Sequence, residues 1–81
     1  MPNLHARRIW KLQAVKVFAQ IESVPMPEIR KALGGTVLDT LFSEGFQSHP
    51  SDPAEGARMV RAKLRERYGE QMRDVTPLNQ P

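Results

Sequence analysis

Pro27-Glu28-Ile29-Arg30-Lys31-Ala32-Leu33-Gly34-Gly35-Thr36-Val37-Leu38-Asp39-Thr40-Leu41-Phe42-Ser43-Glu44-Gly45-Phe46 decides the fold. Pro27 suits the first position of a helix, where a missing N–H removes no hydrogen bond. Ile29, Ala32 and Leu33 then supply an i, i+3, i+4 apolar face. Arg30 and Lys31 fall in the last turn, where cations complement the helix dipole. Gly34 offers a left-handed C-terminal cap. Thr36 caps a further helix, and Asp39 three residues on completes a capping-box pattern. Val37, Leu38, Leu41 and Phe42 form its inner face, and Asp39, Thr40, Ser43 and Glu44 its outer face. Gly45 is expected to end it, with Phe46 folding back on the cap and leaving room for one short strand near Phe46.

Upstream, Leu4 to Glu22 reads as one helix. At 100° per residue Trp10, Leu12, Ala14, Val15, Val17, Phe18 and Ile21 cover a broad arc. A helix so apolar is expected at the centre of the fold, touched on several sides. Arg7, Arg8 and Lys11 break the arc, so its first turns should project from the core. Ser23 to Pro27 interrupts the pattern, and the residues before proline, Val24 and Met26, should be extended.

Downstream, Gln47 to Asp52 is a connector. Asp52-Pro53-Ala54-Glu55 is a second strong helix start, with a cap, a proline at the first position and a glutamate at the third. That helix runs from Pro53 to about Tyr68, or on to Asp74 (53–74), with Gly69 either its terminus or a weak point within it. Ala57, Val60, Leu64 and Tyr68 make its apolar stripe, bordered by Arg58, Arg61 and Arg65. The expectation is an all-α single domain: an N-terminal arm (1–3), a tri-helical core (4–46), the connector (47–52), a C-terminal helix (53–74) and a loose tail (75–81).

Composition narrows the function classes. Eighty-one residues make one small domain, and 40% hydrophobic content suffices for one core. With no cysteine, disulfides, thiolate catalysis and cysteine-based zinc sites are excluded. No apolar run approaches the roughly 20 residues that span a bilayer, so no membrane partner is expected. The first residues carry no apolar signal core, and the expected compartment is cytoplasmic. His5 and His49 lie far apart without a ligand-spaced companion, so no metal is expected. No cofactor fingerprint or local catalytic set is present, and no enzyme is expected. Turn formation accounts for Gly34-Gly35, and Trp10 is assigned to the core.

The net charge of +3 is divided unevenly. Arg7, Arg8, Lys11, Lys16, Arg30 and Lys31 form one basic block, and Arg58, Arg61, Lys63, Arg65, Arg67 and Arg73 the other. Between Ala32 and Ala57 there are only acidic charges: Asp39, Glu44, Asp52 and Glu55.

The stretch 27–46, with its short helices joined through Gly34-Gly35 and its exit at Gly45-Phe46, resembles the helix-turn-helix and winged-helix DNA-binding families. The resemblance implies a positioning helix, a recognition helix and a regulatory role at DNA. The outer face of the implied recognition helix carries Asp39 and Glu44, whereas base readout relies chiefly on arginine, lysine, asparagine and glutamine. DNA attachment is therefore expected to be electrostatic, through Arg7, Arg8, Lys11, Arg58, Arg61 and Arg65. The alternative is a protein–protein adaptor or inhibitor. It would bind through the acidic surface of Asp39, Thr40, Ser43 and Glu44, or through the stripe of Val60, Leu64 and Tyr68. The stripe can pair with its twin in a homodimer or close the core over the first helix.

Overall fold

The computed structural model describes residues 4–78. The N-terminal arm expected at 1–3 and the end of the tail at 79–81 lie outside the described residues. Four helices follow one another: α1 (Leu4–Glu22), α2 (Met26–Leu33), α3 (Gly35–Ser48) and α4 (Pro53–Tyr68). The all-α class is as expected, and the described residues contain no strand.

α1 ends in a Schellman motif built on a serine. The Val24 N–H donates to the Ala19 carbonyl and the Ser23 N–H to the Gln20 carbonyl, both at 3.3 Å. Ser23 takes φ 57°, a conformation that favours glycine. The motif turns the chain sharply and buries Val24 at 6% exposure. The backbone N–H of Leu78 donates to the Ser23 carbonyl, tying the end of the described chain to this corner.

α2 begins one residue earlier than expected. Met26 is helical rather than extended, because Pro25 serves as N-cap and its carbonyl accepts from the N–H groups of Glu28 and Ile29. Gly34 alone separates α2 from α3. Its φ of 92° and ψ of 149° lie beyond the left-handed helical region, in territory open essentially to glycine. Its N–H still closes α2 on the Arg30 carbonyl at 2.7 Å.

α3 departs most from expectation. It starts at Gly35 with no side-chain cap, so Thr36 is inside the helix and its carbonyl accepts from the Thr40 hydroxyl. It does not stop at Gly45 but runs through Phe46 to Ser48, which leaves no place for a strand. Gly45 is buried because another helix needs the space. A Cβ there would lie 3.1 Å from the Gly56 carbonyl oxygen of α4 and 3.1 Å from the Trp10 ring. At Gly56 a Cβ would fall 2.2 Å from Trp10 Cζ2. The two glycines bring α3 and α4 together under the indole. Trp10 is 4% exposed, donates from Nε1 to the His49 carbonyl at 2.7 Å and meets Phe46 edge to face.

α4 starts as the sequence indicates, with the Asp52 side chain accepting from the Glu55 N–H at 3.1 Å. It ends at Tyr68, the nearer of the two ends that the sequence offers, and turns follow in place of a continuation to Asp74. Met72 and Val75 nevertheless pack against the core. α4 is no appendage to a tri-helical unit: its main partners are α1 and α3. Ala57, Val60 and Leu64 are completely buried, alongside Phe18, Leu38 and Ile29. The apolar stripe thus closes the core over α1.

Candidate functional site

The two basic blocks meet different surroundings. In the second block, Arg61 and Arg65 converge on Glu22 at the end of α1. Arg65 donates to Glu22 Oε2 at 3.1 Å, and Arg61 Nε lies 3.3 Å from Oε1. The Glu22 side chain is 2% exposed. The Arg61 contact is not aligned as a hydrogen bond, so its attraction is that of charge alone. A carboxylate buried this far needs its cations, and removing them typically costs several kcal/mol. On the other flank of α4, Lys63 donates to Glu44 at 2.8 Å. The hydrogen bond from Lys63, and then the charges of Lys63 and Arg67, hold the Glu44 carboxyl below its ordinary value. Arg58 bridges to Glu55 one turn back at 2.5 Å.

The first block is mostly unpaired. Lys11 bridges to Asp39 at 3.1 Å, and Arg7 donates to the Ser43 hydroxyl while lying over the Phe46 ring. These two, with Trp10, Phe42, Asp39 and Phe46, line a small hollow of about 180 Å³ between α1 and α3. Arg8, Lys16, Arg30 and Lys31 have no carboxylate partner among the described residues.

The outer side of α1 also departs from expectation. α1 is packed chiefly along one flank, by α4, while α2 leans on α3. Leu12, placed by its periodicity within the covered arc, is 67% exposed, and Ile9 is 43% exposed. Leu12 and Val15 form the floor of an open hollow of about 340 Å³ rimmed by Arg8, Lys11 and Arg30. No acidic residue precedes Glu22 in the chain.

The residues singled out from sequence therefore separate. Of those expected to attract DNA, Arg7, Arg8 and Lys11 sit on the first turns of α1. Arg61 and Arg65 hold its far end, about 16 Å along the axis from Lys11 at 1.5 Å per residue. That is twice the screening distance at physiological salt, so the two groups barely influence each other. Of those expected to take a protein, Val60 and Leu64 are fully buried and Tyr68 is half-buried, so the stripe is not a free surface. Asp39 and Thr40 remain exposed, and Ser43 and Glu44 are partly covered. Three of these four already have side-chain partners in Lys11, Arg7 and Lys63. Sequence reasoning missed Ile9 and Leu12. The signal was the run of α1 with apolar residues on every side and no acid before Glu22, which exceeds what neighbouring helices can cover.

Among the described residues no three potential metal-ligating side chains come together. No helix among the described residues is long and apolar enough to cross a membrane. Comparison with protein-family models, curated proteins and solved structures finds no match.

Proposed function

We propose that this chain is a non-catalytic protein-interaction module, an adaptor or inhibitor, that docks through the outer face of α1. The observation that carries this reading is Leu12, two-thirds exposed beside Ile9 on a helix whose opposite face holds the core. Full burial of a leucine or isoleucine side chain contributes about 1.5–3 kcal/mol. Leu12 stands over the hollow with Val15, and Ile9 lies one turn back, next to Pro50 and Pro53. The DNA reading shares Arg8 and Lys11 with this face, but it would press the apolar floor against phosphate. It also relies on Arg61 and Arg65, which Glu22 already holds. The single-residue joint at Gly34 is shorter than the turn of three to four residues usual in a DNA-reading helix pair. The lack of cysteine suits a reducing cytoplasm as the place of action.

Photocrosslinking in cells tests the reading. A photoreactive residue at position 12 should yield discrete protein adducts that vanish with Ile9→Glu. The same group at the exposed position 66 should yield none. Adducts unchanged by Ile9→Glu, or duplex DNA bound with a steep loss on adding salt, would overturn it.

A further inference from the structure

Resting on that reading, we infer that the occupant of the α1 face is an acidic amphipathic helix of a partner protein, with one apolar side chain seated on Leu12 and Val15. Three features select it. The floor is apolar, and its central residue is 67% exposed. The rim is cationic, and Arg8 and Arg30 have no carboxylate to pair with among the described residues. The surface is hollow, with Arg30 reaching from α2 to wall one side of α1. A hollow takes a protruding side chain, which a flat lipid surface does not present. An apolar floor gives nothing to a phosphate backbone. A helix with an apolar residue flanked one turn away by glutamate or aspartate matches both floor and rim. Its carboxylates would complete the ion pairs that Glu22 and Glu44 complete elsewhere in the fold.

Three designed helical peptides test this inference. They share one leucine face and carry glutamate, glutamine or lysine on the flanks. Binding to the full chain is read by fluorescence anisotropy at low and physiological salt, beside phosphatidylserine vesicles and a DNA duplex. The glutamate peptide should bind most tightly, and binding should weaken as salt rises. Arg8→Glu with Arg30→Glu should weaken it about tenfold and turn the preference toward the lysine peptide. Circular dichroism confirms that the variant remains helical. Leu12→Glu should weaken both the glutamate and the glutamine peptides, and the glutamate peptide more. Equal, salt-independent binding of glutamate and glutamine peptides, lost with Leu12→Glu, would overturn the acidic partner while leaving the docking face intact. Failure of all three peptides to depend on Leu12 would remove the face itself. Binding of vesicles or duplex in preference to the glutamate peptide would overturn the inference in favour of a lipid or nucleic-acid partner.

Discussion

The two basic blocks carry equal numbers of cations and differ in what faces them. On α4, Arg58, Arg61, Lys63 and Arg65 are each matched to a carboxylate of this chain. On α1 and α2 only Lys11 is so matched among the described residues, and Leu12 lies uncovered beside the others. Charge on α4 therefore serves mainly to hold the helices together, whereas charge on α1 and α2 is available to something else. Composition could not separate these roles, because an arginine reads the same whether its partner is at home or elsewhere.

The largest expected contrast is in stability. Arg61→Met with Arg65→Met leaves Glu22 buried without a cation. Allowing for the half-exposed guanidinium groups, this should cost about 2–3 kcal/mol in urea unfolding. Arg8→Met with Arg30→Met removes the same charge from the open face and should change stability by no more than about 0.5 kcal/mol. Similar losses from both pairs would erase the distinction.

A smaller effect sharpens it. Glu44 is held below its ordinary value of 4.5, chiefly by the Lys63 hydrogen bond. A depressed carboxyl contributes stability that is present above its unfolded value and disappears as pH falls through the folded one. Glu44→Gln should accordingly flatten part of the decline in stability below pH 4.5, as followed by thermal unfolding across pH. An unchanged acid limb would mean that this pair contributes nothing.

Much of the helical frame was legible in the chain. The Asp52-Pro53 start, the break after Glu22 and the burial of Trp10 follow from local chemistry and periodicity. What failed did so for tertiary reasons. Gly45 read as a terminator, yet its missing side chain is needed where α3 crosses α4 beneath Trp10. Thr36 and Asp39 fit a capping box, but α3 begins two residues sooner, with Gly34 at the cap position, and Asp39 turns to Lys11. The docking face was the least legible part. A hydrophobic arc gives the directions in which a helix is apolar, not the number of neighbours available to cover them. α1 has more apolar directions than packed neighbours, and Leu12 is the remainder.

The most direct test is a nuclear magnetic resonance titration of the isotope-labelled chain with the glutamate-flanked peptide. The account predicts that the amide shifts concentrate at Arg8, Ile9, Leu12, Val15 and Arg30, with α4 between Arg58 and Arg67 unmoved. Largest shifts along that stretch of α4, or along the outer face from Asp39 to Glu44, would contradict it.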